Sequence, residues 1–552
     1  MNTKILCLAF PKIHLAAPKE NASVLEKLII EAEHKDVDLL LFPPLTLTGD
    51  ELGEFYRHPT ISQGSKEVLS YLASLSKMPV FIGLPLLIED RIFSVMAFIE
   101  DGAIKGYIPL SSKEKAFSDP LLFPRDLLAD TELYKLSIYL DDSFSSPNKK
   151  EKIIRTLVKK SEEQDQPLVY MSCPESYSVS GGIHSSSHLL FGKGKVSHRG
   201  KWSSELIALE LPVKRGAIEL QSYPTQKEIK TPTSLPFLFS NKQVYEELLQ
   251  LQARAYGNKL KRTGASHSLI GVSGGLDSTW ALIATLHAHL EMDLPIENIH
   301  PIIMPGFGSS EDTMTSALDL LDSLGLEPQI ISIDKSVMQH FEDIGHDSNN
   351  TNVVYENAQA RERTQILMDL ANSYNGLVVG TGDMSEIALG WSTYNADQMS
   401  MYGLNAGIPK TLIQDLILWY AKKKGGPLEK ALMHILDRPI SPELLPPDKD
   451  GEILQKTEEL IGKYEITDFI LYYSLQYCSI SQIDNLMVEA FGTLTKEERK
   501  DHLSRFYKRF INQQFKRTAS PDGVKLTEPS LVGFKMASDL STIDFIKEIQ
   551  NL

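Results

Sequence analysis

Residues 269–278 read LIGVSGGLDS, and this stretch decides the organisation of the chain. The apolar run Leu269–Val272 is short enough to be a single buried strand. It breaks at Ser273-Gly274-Gly275-Leu276-Asp277-Ser278, and a helix-compatible run, Thr279–Leu286, follows at once. A strand, a Gly-rich turn and a helix in this order direct backbone N–H groups at an anion. The two glycines let the backbone approach a phosphate closely, and Ser273 and Ser278 add hydroxyl donors. Asp277 would repel a bare phosphate, so its position suggests a bridging Mg²⁺. The loop is not a Walker A motif, because it is shorter and no Gly-Lys-Ser/Thr follows. A Gly-Gly turn in an ordinary α/β protein is the plainer reading of a bare SGG. SGGLDS set between a strand and a helix favours the anion site.

The pattern repeats downstream. Lys242–Leu260 reads as a helix, Ile299–Met304 as a strand, and Glu311–Leu324 as a helix with Met314, Ala317, Leu318, Leu321 and Leu324 on its apolar face. Gln329–Ile333 and Leu377–Gly380 read as strands on either side of a helix, Tyr355–Tyr374. Strands alternating with helices imply a parallel, doubly wound sheet with right-handed crossovers. Ligands of such sheets gather beyond the carboxyl ends of the strands. Those ends carry SGGLDS, MPGFGSS (304–310) and GTGDMSE (380–386), all rich in Gly and Ser. Three such ends predict one shared site.

SGGLDS resembles the pyrophosphate loop of the N-type ATP pyrophosphatases, which split ATP into AMP and pyrophosphate. ENAQARER (356–363), GTGDMSEIALGWSTYNADQMSMYGLNAGIPKT (380–411), ISPELLP (440–446) and QFKR (514–517) resemble the signatures of the NAD synthetase family, in its two-domain, glutamine-dependent form. The resemblance is strong over about 240–530 and implies a Rossmann-like synthetase domain of the adenine nucleotide alpha hydrolase-like kind over 241–552. It implies that ATP adenylates the nicotinate carboxylate of deamido-NAD, and that ammonia then displaces AMP to give NAD. By position, Asp277 and Glu386 would hold Mg²⁺, and Ser273, Gly274, Gly275, Leu276 and Ser278 would cradle pyrophosphate. Thr381 and Ser441 would contact ATP, with Lys410 as the cation on its phosphates. Asn357, Arg361, Glu386, Trp391, Ser392, Thr393 and Tyr394 would bind deamido-NAD, with Lys516 closing over it. Arg361 alone would read as part of a solvated helix face, Trp391 alone as core, and Lys516 alone as a basic helix end. Tyr394 stands where the small single-domain synthetases carry lysine, so the nicotinate carboxylate must find its positive charge elsewhere. The resemblance also implies a homo-oligomer, at least a dimer.

Residues 1–217 alternate strand-like segments (Lys4–Phe10, Val37–Phe42, Val80–Leu84, Phe93–Glu100, Leu136–Leu140, Leu168–Ser172) with helix-like ones (Ala22–Glu33, Ser65–Ser76, Lys150–Glu163). The turn LLLFPPLTLTGDEL (39–52) resembles one in the nitrilase-like, carbon–nitrogen hydrolase family, whose fold is a four-layer αββα sandwich. That chemistry needs a glutamate base, an oxyanion lysine and a cysteine nucleophile. Here Pro44 takes the glutamate position, and Leu110 the lysine position, with Lys113 and Lys115 nearby. No cysteine lies between Cys7 and Cys173, and Cys173 precedes a proline with no base at hand. Cys173 therefore reads as a buried, inert thiol, and the half as a degenerate amidase. Leu136–Ser146 either replaces the nucleophile strand or marks its deletion. Residues 218–240, richer in Pro, Thr and Lys, read as the connector between the halves.

The 552 residues allow two to four domains. A net charge of −16 argues against a nucleic-acid partner. Three dispersed cysteines suggest neither a disulfide framework nor a zinc site. Without a long apolar run no membrane segment is expected, and a cytoplasmic compartment follows. Three functions remain in view. The first is an NAD synthetase fed by ammonia, either free or from a separate supplying protein. The second is an amidotransferase: a glutamine-hydrolysing synthetase with a displaced nucleophile, or another N-type ATP pyrophosphatase. The third is a non-catalytic nucleotide-binding scaffold, which retention of Asp277, Glu386 and Lys410 disfavours.

Overall fold

The apolar runs of the first half pair into two sheets, whose inner strands, such as Leu39–Leu41, Leu136–Asp141 and Leu168–Ser172, are buried on both faces, while the edge strands Leu206–Val213 and Ile218–Ser222 alternate buried and exposed residues. A computed structural model describes residues 2–552 except 51, 112–116, 142–148, 165, 174–176, 180–181, 185–186, 200–205, 223–232, 441–457, 459–460, 535 and 537–539. The chain divides into two compact units, Met1–Glu228 and Ile229–Leu552.

In the first unit, β1 (Asn2–Ala9), β2 (Leu39–Leu41), β3 (Val80–Ile88), β4 (Arg91–Glu100), β5 (Ala103–Leu110) and β12 (Leu206–Val213) form one sheet in the order β12-β1-β2-β3-β4-β5. The second sheet contains β6 (Leu136–Asp141), β7 (Leu168–Ser172), β10 (His188–Gly192), β11 (Lys195–Arg199) and β13 (Ile218–Ser222), ordered β11-β10-β7-β6-β13. A small separate ribbon pairs β8 (Tyr177–Val179) with β9 (Gly182–His184). Along β1 the period of two sends Leu6 and Leu8 toward the second sheet, where they share a core with Ile138, Leu140, Val169 and Met171. Cys7 and Ala9 point the other way, into a core with Leu25 and Leu28 of helix Pro18–His34 and Leu69 and Leu72 of helix Pro59–Leu75. Tyr139, Tyr170 and Phe191 cover the outer face of the second sheet together with Ile153 and Leu157 of helix Lys149–Glu163. The result is the αββα sandwich.

The strand expected at Leu136–Leu140 is present as Leu136–Asp141 and pairs in parallel with β7; one expectation changes. Ile218–Ser222, read as the start of the connector, is a strand parallel to β6, with Ile218 and Leu220 buried. Its short Ile-Glu-Leu-Gln alternation is masked in the sequence by the Pro-, Thr- and Lys-rich run that follows.

In the second unit β14 (His267–Gly271), β15 (Ile299–Ile303), β16 (Gln329–Ile330), β17 (Gly376–Gly380) and β18 (Tyr402–Gly403) form a wholly parallel sheet in the order β16-β15-β14-β17-β18. The order reverses between β14 and β17, which makes the crevice beyond their carboxyl ends the expected ligand site. Helix Val353–Tyr374 packs Ala371 on Leu269 and Val378. In helix Glu311–Leu324 the buried face is Thr313, Ser316, Ala317, Leu320 and Leu321, whereas Leu318 is exposed. Thr313 and Ser316 are polar but short, and Thr313 sits against Gly274 of the Gly-rich loop, so the apolar count alone rotated the face. Strand β16 ends at Ile330, because Ile333 already caps helix Asp334–Ile344. Among the described residues no helix is long and apolar enough to cross a membrane.

Candidate functional site

A cavity of about 350 Å³ opens at the switch point, lined by Gly271–Ser278 after β14, by Met304, Pro305 and Ser309 after β15, and by Gly380, Thr381 and Glu386 after β17. All three strand-end segments thus reach one cavity. Each is placed by local chemistry. Gly274 has φ +77°, and a Cβ there would sit 2.6 Å from the Thr313 carbonyl oxygen. Only glycine fits a left-handed residue pressed against another helix. Ser273 Oγ accepts from the Gly275 N–H at 3.2 Å and lies 3.2 Å from Ser278 Oγ, which ties the loop to the helix it opens. Helix Leu276–Glu291 has Gly275 as its N-cap and no side-chain cap. Its first-turn N–H groups are therefore not taken by a capping side chain.

A buried polar chain holds the strand ends together. Trp280 Nε1 donates to Gln252 Oε1 at 2.9 Å, and Gln252 Nε2 donates to the Leu404 carbonyl and to Asn405 Oδ1, at 2.9 and 3.1 Å. Asn405 Nδ2 in turn donates to the carbonyls of Asp277 and Thr381, at 2.9 and 3.0 Å. Asn405 is fully buried and bridges the first and third strand ends.

The charged centre of the cavity is Lys410, the first residue of helix Lys410–Lys424, with no exposed side-chain surface. Its ammonium lies 2.5 Å from Asp277, 2.8 Å from Asp383 and 2.9 Å from Glu386. Burying a lone ammonium costs several kcal/mol, which the carboxylates here offset. Burial alone would lower the Lys410 pKa, but the three carboxylates override it and hold it well above the ordinary lysine value. Burial pushes Asp277 up to about 7 against the pull of Lys410, and raises Glu386 well above its usual range. One oxygen from each of Asp277, Asp383 and Glu386 lies within 4.8 Å of the others, a spacing that suits a divalent cation. Asp277 Oδ1 is buried with no hydrogen-bond partner among the described residues, and an oxygen in that state fits a Mg²⁺ ligand.

The expected residues separate into two groups. Ser273, Gly274, Gly275, Leu276, Asp277, Ser278, Thr381, Glu386, Trp391 and Lys410 all line the cavity. Asn357, Arg361, Ser392, Thr393, Tyr394 and Lys516 do not line it, and Ser441 lies outside the described residues. Asn357 Oδ1 accepts from the Thr393 hydroxyl at 2.8 Å, which fastens helix Val353–Tyr374 to the Trp391–Tyr394 turn. Lys516 donates to the carbonyls of Gly390 and Ser392, at 2.9 and 2.5 Å, so here it holds that turn in place. Arg361 is exposed; two residues on, Arg363 lines the cavity and donates to the Met304 carbonyl at 3.0 Å. Tyr394 is 45% exposed, with its ring near Phe515.

Sequence reasoning missed Asp383, Asn405, Arg363, Asp397 and Arg438. Asp383 was legible as an N-cap three residues before Glu386, and its side chain does accept from the Glu386 N–H at 2.9 Å. Arg438 lines the cavity beside Gly274 and pairs with Asp312 at 2.9 Å, which no local pattern announces.

In the first unit Pro44 is buried, in the turn after β2, and Leu110 lies in the core between the sheets. Lys113 and Lys115 lie outside the described residues. Cys173 follows β7 and is buried, with its thiol pushed up to about 12 by burial.

Residues 249–518 match the NAD synthase family model. The glutamine-dependent NAD(+) synthetase of Mycobacterium leprae is 35% identical over 334 residues, 55% of this chain and 49% of that one. The chain thus spans about half the length of the first curated relatives it matches. The glutamine-dependent NAD(+) synthetase of Synechocystis is 25% identical over 513 residues, 81% of this chain and 85% of that one. A glutamine-dependent NAD(+) synthetase structure from Cytophaga hutchinsonii superposes with a TM-score of 0.77 at 18% identity, covering 100% of both chains. At that identity it speaks to the fold, and it carries both units.

Proposed function

With an NAD synthase domain over residues 249–518, we propose that this protein is an ATP-dependent ligase that amidates deamido-NAD to NAD, with ammonia as the direct nitrogen donor. The observation that carries the reading is the convergence of Asp277, Asp383, Glu386 and Lys410 beside the SGGLDS loop in one cavity. A carboxylate is a poor electrophile, so an amide bond needs a leaving group, and AMP supplies one when the carboxylate attacks the α-phosphate. The backbone of Ser273–Leu276 and the hydroxyls of Ser273 and Ser278 would take the charge of the departing pyrophosphate. Asp277 and Glu386, with Asp383 beside them, would hold Mg²⁺, whose contribution is to neutralise phosphate charge. The apolar walls from Ile302, Met304 and Val379 would exclude water, which otherwise hydrolyses an acyl adenylate. The Trp391–Tyr394 turn, held by Lys516 and Asn357, would position the dinucleotide.

Ammonia is favoured over glutamine because of the first unit. A thioester route needs a nucleophile, a base and an oxyanion cation. Pro44 offers no proton acceptor, Leu110 offers no charge, and the Cys173 thiol stays protonated near neutral pH. The test is to incubate the protein with ATP, Mg²⁺ and deamido-NAD, adding ammonium in one arm and glutamine in the other. NAD, AMP and pyrophosphate should form with ammonium, and Asp277→Ala should cost at least about two orders of magnitude in rate, as loss of a metal clamp does. ADP in place of AMP would overturn the ligase reading. NAD and glutamate formed from glutamine, at a rate abolished by Cys173→Ala, would overturn the choice of donor.

A further inference from the structure

The three carboxylates that fit a divalent cation already surround a lysine of the same chain. Lys410 Nζ sits within 2.9 Å of Asp277, Asp383 and Glu386, and one oxygen from each of these carboxylates lies within 4.8 Å of the others. A Mg²⁺ at about 2.1 Å from any oxygen that meets the ammonium would lie within roughly 5 Å of it. Two cations at that distance repel strongly in a buried site, so they compete for the trio.

We propose that Lys410 is a built-in competitor of the metal, which makes divalent-cation binding conditional on nucleotide. The inference rests on the ligase reading for the identity of the nucleotide. Without a triphosphate, the ammonium pairs with no other acid among the described residues and neutralises the trio. When the phosphates fill the cradle of Ser273–Ser278, a second anion lies beside Lys410, and the ammonium turns to it and gives up the carboxylates. Only the side chain needs to move. The Lys410 backbone N–H is fixed by the Ser385 hydroxyl at 2.8 Å, and the next residue, Thr411, is held through N and Oγ1 by the buried Asp468, at 3.0 and 2.7 Å. Asp383 anchors the exchange. Its Oδ1 is committed to capping the helix that carries Glu386, and its Oδ2 faces the ammonium. It is a third carboxylate, which raises the charge that either cation must meet.

The probe is Mn²⁺, followed by electron paramagnetic resonance and by calorimetry on the full chain, with no nucleotide present. Wild type should show no site tighter than about 1 mM. Lys410→Met, with the trio intact and its main competitor removed, should bind one Mn²⁺ at least about tenfold more tightly. Asp383→Asn placed on Lys410→Met should lose most of that gain. A variant that binds Mn²⁺ no more tightly than wild type overturns the proposal. So does a Mn²⁺ site in the micromolar range in nucleotide-free wild type, a measurement that decides even where circular dichroism shows Lys410→Met unfolded. NAD formation by wild type is scored separately: the exchange can fail in a protein that makes NAD, and hold in one that makes another product.

Discussion

Gly274 and Cys173 show how single residues are read through their surroundings. Gly274 combines φ +77° with a Cβ position 2.6 Å from a backbone oxygen, so alanine cannot be accommodated by a side-chain shift. Gly274→Ala should displace the loop from helix Glu311–Leu324 and cost about 1–3 kcal/mol. The expected readouts are a lower Tm and a rate with ATP reduced by more than about tenfold; an unchanged rate would contradict the phosphate-cradle role. Cys173 makes the opposite case, a reactive atom silenced by burial. Its thiol, pushed up to about 12, and that of Cys7, raised to about 11, are protonated at pH 8 in the folded protein. The thiolate is the reactive form, so both should resist a thiol reagent such as DTNB at pH 8, whereas the partly exposed Cys478 should react first. Denaturation should bring all three to the same rate. A fast, folded-state reaction at Cys173 would reopen the question of a displaced nucleophile.

The decisive contacts between elements are not between neighbours in sequence. The carboxyl ends of β14 and β17 are held at one spacing by the two amide hydrogens of Asn405, on the loop after β18. Asn405→Ala would leave the Asp277 and Thr381 carbonyls without those donors and Gln252 Nε2 with the Leu404 carbonyl alone. Each buried group left unsatisfied costs about 1–3 kcal/mol. The expected outcome is a clear fall in Tm with a larger fall in kcat/KM, because Asp277 and Thr381 shift relative to each other. Equal losses in Asn405→Ala and Asn405→Asp would fit, since aspartate has no hydrogens to donate. A fully active alanine variant would show that the bridge is dispensable.

For the whole molecule, the second unit leaves Ile330, Ile344 and Val353 more than half exposed. Such side chains would be covered in an oligomer only if they lie in one contiguous patch. The family resemblance implies at least a dimer, and light scattering should give a mass of at least twice 61.8 kDa. A monomer with full activity would contradict it. A stable interface should bury more than about 1,000 Å².

The sequence by itself determined six strands and three helices of the first half, without β5 or β8–β12, the strand–helix alternation of residues 242–380, the Gly-rich strand ends, and the resemblance of the second half to the NAD synthetase family. These rest on local periodicity, on turn chemistry and on motifs that occupy contiguous residues. It also raised the reading of a degenerate amidase, which rests on Pro44 at the expected glutamate position and on the lack of a cysteine between Cys7 and Cys173, and which the comparison of ammonium with glutamine tests. It missed strand β13, which is too short to stand out beside a Pro-rich run, and it rotated the buried face of helix Glu311–Leu324 by counting leucines. Only the tertiary structure decided that Lys410 lies between Asp277, Asp383 and Glu386, and that Lys516 holds the carbonyls of Gly390 and Ser392. It also placed Arg363 in the cavity while leaving Arg361 outside. Lys410 and Asp277 are 133 residues apart. A motif can name such residues, but which cation meets which carboxylate depends on where the parallel crossovers bring the strand ends, and no local pattern encodes that distance.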